Sequence, residues 1–281
     1  MRPGSVAIHV YVVRSVVVFS LCLAFCGFAN SQTVSTNLPD APIPTAEAQR
    51  ASSMSIDDID ISWKKLPRRI LTDQKDIWLF PTQLARGRYW IPTLAVVGGT
   101  AGLIVADPKI APYFRKHAGN LDDLNDSFDG TITSAETALV PLSLLAAGYI
   151  RQDSYQINTS LLAGEAYVDS AIVDLALKFV TQRKRPYNIP PSGPFNDTFF
   201  NNGKSHFSEG SFPSGHAIGA FSIATVIANR YHNHRWVPIA VYGLATAVSL
   251  SRVTASAHFP SDVFLGASLG YVIAKFQVLR H

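Results

Sequence analysis

Six apolar stretches of helix length follow one another from Tyr89 to Leu279, and nothing between them alternates apolar and polar residues as a half-buried strand would. They run near 89–106, 134–150, 161–180, 214–231, 236–251 and 262–279, separated by turn-forming Asn, Asp, Gly and Pro, as in Asp107-Pro108 and from Asn120 to Gly130. This pattern predicts an all-α fold, a six-helix bundle. The chain is 47% hydrophobic and only 16% charged, against roughly 25% charged in an average globular domain, which argues against disorder. Each stretch is at or below the roughly 20 residues that span a bilayer, so core helices and membrane spans both fit. The third stretch carries Glu165, Asp169 and Asp174, which are costly in lipid unless turned inward.

Ahead of the bundle the chain reads as an export signal. Arg2 and Arg14 precede an apolar run from Ser15 to Phe28, and Ala29-Asn30-Ser31 has the small-x-small form of a cleavage site. Both cysteines, Cys22 and Cys26, lie in this segment, so cleavage after Ser31 leaves no disulfide framework and no thiolate metal site. Residues 32–80 are expected to form a linker or amino-terminal extension, with the bundle domain over 81–281. Pro39, Pro42 and Pro44 lie in this extension, as does a basic run of Lys64, Lys65, Arg68 and Arg69 beside Trp63. The run is expected to be a solvated face, with contact to an anionic membrane surface as the sharper alternative. A net charge of +4, two units of it in the signal, is too small an excess to suggest a nucleic-acid partner.

Three constellations carry chemistry. Lys178 is followed by six residues and then Arg185-Pro186. Pro213-Ser214-Gly215-His216 opens the fourth stretch. Ser251-Arg252, five residues, His258, three residues and Asp262 join the fifth stretch to the sixth. Lys178, Arg185 and Arg252 are cations in a charge-poor bundle and call for an anion; the arginine fork matches phosphate oxygens. Ser214-Gly215 begins a helix, where backbone N–H groups and the helix dipole favour an anion, and Gly215 has no side chain to block its approach. His216 and His258 flank that place, with Asp262 four residues beyond His258. A phosphate cradle with two histidines and an orienting acid suits phosphoryl transfer.

These motifs, in this order, resemble those of the type 2 phosphatidic acid phosphatase (PAP2) and vanadium haloperoxidase superfamily. The resemblance covers about 89–279. Gly210-Ser211-Phe212-Pro213-Ser214-Gly215-His216 is also similar to the form found in secreted bacterial class A acid phosphatases, with Ala217 where those enzymes usually carry Thr. The resemblance implies a phosphatase acting through a phosphohistidine. His258 is then the nucleophile, Asp262 holds its tautomer, and His216 protonates the leaving oxygen. Lys178, Arg185, Ser214, Gly215 and Arg252 bind the equatorial phosphate oxygens. No metal or other cofactor is expected, and no second Asp/Glu/His cluster with ligand spacing is evident in the sequence. The expected partner is a phosphorylated lipid or a small phosphoester. A vanadate-dependent haloperoxidase and a non-catalytic lipid- or anion-binding bundle are the alternatives.

The remaining polar residues receive plainer expectations. Asp174 is an i,i+4 partner for Lys178. Arg183 and Lys184 are expected as solvated rim charges, Ser251 as a helix-end hydrogen bonder, and His117, His206, His232, His234 and His281 as surface or loop residues. Tyr187, Phe195, Phe199, Phe200, Phe207 and Phe212 are expected to pack the loop before Pro213 onto the bundle, the alternative being an apolar groove for a lipid chain. A cleaved signal with six spans would put Arg185-Pro186 on the cytoplasmic face, opposite to the integral members of the family. The expectation is therefore a periplasmic bundle associated with the membrane, with an integral membrane protein as the alternative.

Overall fold

The computed structural model describes residues 61–117, 125, 130–201 and 209–280. The signal, residues 32–60 of the extension, His206, Phe207 and His281 lie outside them. All regular structure among the described residues is helical, in keeping with the expected class. Among the described residues the α-helices are α1 (Leu66–Trp78), α2 (Phe80–Ala85), α3 (Trp90–His117), α4 (Gly130–Arg151), α5 (Ser154–Thr181), α6 (Gly215–Arg230), α7 (Trp236–Thr254) and α8 (Pro260–Phe276). The six apolar stretches fall on α3 to α8, while α1 and α2 add two helices within and just beyond the extension.

α6 is the central helix. Its sequence, GHAIGAFSIATVIANR, is rich in small residues on every side, and it packs against α5, α7 and α8 at once. Leu162 and Ala166 of α5, Ile223, Val226 and Ile227 of α6, and Val241 and Ala245 of α7 form the main core. α8 crosses α6 at backbone distance. A Cβ on Gly266 would lie 2.6 Å from the Ser214 carbonyl oxygen, and one on Gly270 2.2 Å from that of Ile218. Only glycine fits there, and this approach brings the start of α8 against the start of α6.

Local chemistry sets the ends that matter. The Asp153 carboxylate accepts from the Gln156 backbone N–H and caps α5, whereas Gln182, at φ 40°, takes the left-handed conformation that ends it beyond Lys178. Pro260 starts α8, and the Asp262 carboxylate accepts from the Phe259 N–H at 2.7 Å. The last turn of α5, the first turns of α6 and α8 and the last turn of α7 thereby meet at one end of the bundle.

α1 lies along α5. Arg69 donates to Glu165 at 2.8 Å and to the Val278 carbonyl at 3.0 Å, and Gln74 donates to Asp169 at 2.8 Å. The costly acids of α5 are thus all turned inward, and Asp174 is paired with Lys178 at 2.7 Å, as the spacing predicts. Of the basic run, Lys64, Lys65 and Arg68 are exposed, but Arg69 is not part of a solvated face. Its partner lies 96 residues away, out of reach of local reading.

Candidate active site

Lys178 points from the last turn of α5 at the start of α6. An added Cβ on Gly215 would lie 3.0 Å from Lys178 Nζ and 2.8 Å from Asp174 Oδ2, so glycine is what lets the cation reach the helix start. Ser214 stands at the N-cap of α6 and makes no capping bond. Its hydroxyl is buried and has no hydrogen-bond partner among the described residues, which suits an oxygen ligand there. The Ser214 N–H donates to the Asp262 carbonyl at 3.0 Å, fastening the α6 start to α8. His216 follows Gly215 in the first turn and is half-buried.

Arg185 reaches across from the segment after α5. Its Nε donates to the Glu209 carbonyl at 3.1 Å, and its Nη1 lies 3.4 Å from His258 Nε2. Arg252 is buried at the end of α7. Its Nε donates to Ser251 Oγ at 3.1 Å, and its carbonyl accepts from the His258 N–H at 3.1 Å. Ser251 Oγ itself donates to the Val248 carbonyl, the helix-end role expected of it. The cations, the Ser-Gly helix start and His258 therefore converge on one end of the bundle.

The orientation of His258 departs from expectation. Its Nδ1 lies 2.7 Å from the Ser211 carbonyl oxygen and 3.6 Å from Asp262 Oδ2. A carbonyl only accepts, so Nδ1 carries the proton and the Nε2 lone pair faces Arg185. The backbone of Ser211, not the Asp262 carboxylate, fixes the tautomer. Asp262 works one step further back: its Oδ2 accepts from Ser211 Oγ and from the Phe259 N–H. Burial, reinforced by the Arg185 and Lys178 charges, pulls the His258 pKa down to about 4, and Asp262 offsets this only in part.

Arg183, expected at the rim, is 1% exposed. Its Nη2 pairs with Asp107 at 2.7 Å, its Nη1 with Asp262 at 2.5 Å and with Ser261 Oγ at 2.7 Å, and its Nε donates to Thr198 at 3.0 Å. The guanidinium also lies over the rings of Phe259 and Phe199, at 4.0 and 4.4 Å. Arginine serves here because a planar fork can hold two carboxylates while stacked between rings. The one sequence signal was its place two residues before Arg185, alongside charges that do face the site. Lys184 is half-buried.

The loop aromatics mostly pack, as expected: Phe195 and Phe212 are buried, and Phe199 covers Arg183, whereas Phe200 and Tyr187 are exposed. A second acidic cluster, unforeseen in the sequence, lies away from the site. Asp73 of α1 meets Glu165 and Asp169 of α5, with ligand atoms within 4.8 Å of one another. It was invisible because its members come from helices some 90 residues apart.

Residues 157–280, which hold all three motifs, match the model described as PAP2 superfamily. Among curated relatives it is similar to the lipid A 1-phosphatase of Porphyromonas gingivalis, 35% identical over 66 residues, which is 23% of this chain and 15% of that protein. A lipid A 1-phosphatase of Rhizobium etli is 34% identical over 106 residues, 37% of this chain and 42% of the relative. Undecaprenyl-diphosphatase BcrC of Bacillus subtilis is 35% identical over 75 residues, 27% of this chain and 37% of the relative. The chain thus spans less than half the length of each of these relatives.

Proposed function

We propose that the protein is a membrane-embedded phosphatase that hydrolyses a phosphate or pyrophosphate ester of a lipid. The observation that carries this reading is the neutral imidazole of His258, held by the Ser211 carbonyl with its Nε2 lone pair beside Arg185. A binding module needs cations, but it has no use for a buried nucleophile whose tautomer is fixed. In the proposed reaction Nε2 attacks phosphorus, the phosphorus–oxygen bond to the leaving alcohol or phosphate breaks, and His216 gives that oxygen a proton. Water, giving a proton back to His216, then attacks the phosphorus of the phosphohistidine, the phosphorus–nitrogen bond breaks, and phosphate leaves with both imidazoles restored. Lys178, Arg185, Arg252, the Ser214 hydroxyl and the N–H groups at the start of α6 stabilise the charge on the equatorial oxygens. The carboxylates nearest the cradle are each tied to a cation, Asp174 to Lys178 and Asp262 to Arg183, so positive side chains supply what a divalent ion would otherwise supply.

The membrane assignment rests on three helices long and apolar enough to cross a bilayer: α3, α7 and the stretch from Pro260 to Arg280. The C-terminal ends of α3 and α7 and the N-terminal end of α8 lie at the site end of the bundle, which would put the site at one membrane face. That is the integral alternative of the sequence reading, preferred here over a soluble periplasmic bundle. The names of the relatives favour a lipid substrate. Phosphate release by the full chain in detergent, from a lipid A phosphate, undecaprenyl diphosphate, phosphatidate and p-nitrophenyl phosphate, tests the reading. Turnover of at least one lipid, insensitive to EDTA and inhibited by vanadate, is expected. Activity lost on chelation and restored by a divalent cation would overturn the metal-free mechanism.

A further inference from the structure

We infer that Asp107 of α3 and Arg183 are positioning residues that hold the nucleophilic imidazole in place through Asp262 and Ser211. Asp107 lies outside the family-matched segment 157–280, so the inference assigns part of the reactive apparatus to a helix the match does not include. It rests on the phosphatase reading proposed above.

The connection is continuous. Asp107, fully buried, receives Arg183 Nη2 at 2.7 Å and the Ser261 hydroxyl and N–H. Arg183 Nη1 reaches Asp262 Oδ1, whose other oxygen receives Ser211 Oγ. The Ser211 carbonyl accepts from the His258 Nδ1–H at 2.7 Å, and the Ser211 N–H donates to the Arg183 carbonyl at 2.8 Å. Ser211 is thus gripped on both sides by the Arg183–Asp262 pair, and its carbonyl direction is set by that grip. Asp107 and Arg183 spend their polar atoms on each other and on Ser261, Asp262 and Thr198, so the pair faces the back of the imidazole, not the cradle.

α3 is also held by Ala111 packed with Ile189, Phe195 and Phe259, by Phe114 against Ala217, Val253 and Val263, and by Arg115 on the Ile189 carbonyl. Only Thr100, Asp107 and Ala111 are buried along its 28 residues. A carboxylate taken out of water needs a compensating partner, and two carboxylates on one guanidinium leave a net negative charge that hydroxyl and N–H donors must share. Ser261, Ser211 and the Phe259 N–H do this. So complete a polar arrangement on the far side of one imidazole is more than anchoring α3 would require.

The test uses the full chain in detergent on p-nitrophenyl phosphate, with melting temperatures measured alongside. Asp107→Asn keeps the shape and loses the charge. It should lower kcat about 100-fold, the scale of loss when a reacting group is slightly misplaced, with KM little changed because the phosphate ligands are untouched. Arg183→Lys should lower kcat similarly, since an ammonium cannot hold both carboxylates. The pH profile separates positioning from mere folding. The charges facing His258 are Arg185 and Lys178, which oppose its protonation, and Asp262, which favours it. Arg183→Gln leaves Asp262 without its cation, so the acid limb of kcat/KM should move up from about 4 toward neutrality, while Arg183→Lys leaves that limb in place. If Asp107→Asn or Arg183→Gln does not fold, Ser261→Ala decides: it removes the hydroxyl between Arg183 and Asp107 without stranding a charge, and kcat should fall with KM held. Variants with wild-type kcat, or losses wholly in KM, would overturn the inference. A wild-type chain inactive on every phosphoester would instead overturn the phosphatase reading.

Discussion

His258 and His216 look alike in the sequence and are placed quite differently by the chain. His258 is buried with its Nδ1–H on a carbonyl, whereas His216 sits half-buried on the first turn of α6. A general acid contributes on the order of 10²–10⁴ in rate and matters most when the leaving group is poor. His216→Ala should therefore lose far more activity on an alkyl or lipid phosphate than on p-nitrophenyl phosphate, and His258→Ala should lose both alike. Equal losses for His216→Ala, with the acid-labile phosphoenzyme also gone, would show that the acid is misassigned. The depressed pKa of His258 adds a second expectation. Its folded value of about 4 lies below the roughly 6.5 of an unfolded chain, so between these values the unfolded state binds more protons. The stability this group contributes is complete above about pH 6.5 and is lost as pH falls toward 4. Activity should follow the folded value: the acid limb of kcat/KM for the free enzyme should fall near 4. A limb near 6.5, with the protein still folded, would mean that His258 is more hydrated than its burial implies.

At the level of the helices, apolar runs of helix length bounded by turn residues were enough to place α3 to α8. The Lys178–Asp174 pair and the Ser-Gly start of α6 were legible too, since their spacing is local: Asp174 and Lys178 are one turn apart, and Ser214, Gly215 and His216 are consecutive. What escaped was everything built from distant partners. The Arg69–Glu165 pair, the Arg183 connection to Asp107 and the carbonyl on His258 join residues 47 to 96 positions apart, and charge alone does not tell a rim arginine from a buried one. The close crossing of α6 and α8 belongs to the same class, and it is testable. Gly270→Ala drives a methyl to 2.2 Å from a backbone oxygen that cannot move without α6 moving. Overpacking of this kind costs about 1–3 kcal/mol, on the order of 2–12 °C in melting temperature for a chain of this size. Gly164→Ala, whose Cβ would meet nothing within 4 Å, should instead be neutral or slightly stabilising, as alanine is the better helix former. Similar melting temperatures for the two variants would refute the crossing distance.

For the molecule as a whole, the question is which solvent its outer surface meets. α3 presents Ile91, Leu94, Val97 and Val105 outward, with Ile91 84% and Val105 76% exposed, and α7 and α8 add Ile239, Leu250, Tyr271 and Phe276. A soluble domain rarely shows contiguous apolar patches beyond a few hundred Å² without a partner to cover them. Removing each such side chain from water is worth about 1.5–3 kcal/mol, so these residues together favour a bilayer strongly. Trp90 at the start of α3, with Arg86 and Arg88 just before it, fits the interfacial end of a span, where an amphipathic ring and snorkelling cations are both at home. The exposed Lys64, Lys65 and Arg68 of the extension suit water or anionic headgroups rather than acyl chains. If α3, α7 and α8 cross the bilayer while the extension stays at its surface, washing with alkaline carbonate should leave the protein in the membrane pellet, and only detergent should release it. Charge reversal of Lys64, Lys65 and Arg68 to Glu should not change that, because the anchoring is apolar. Release by carbonate would make the bundle a soluble or peripheral protein. Release only after the charge reversal would place the attachment in the basic run instead of the helices.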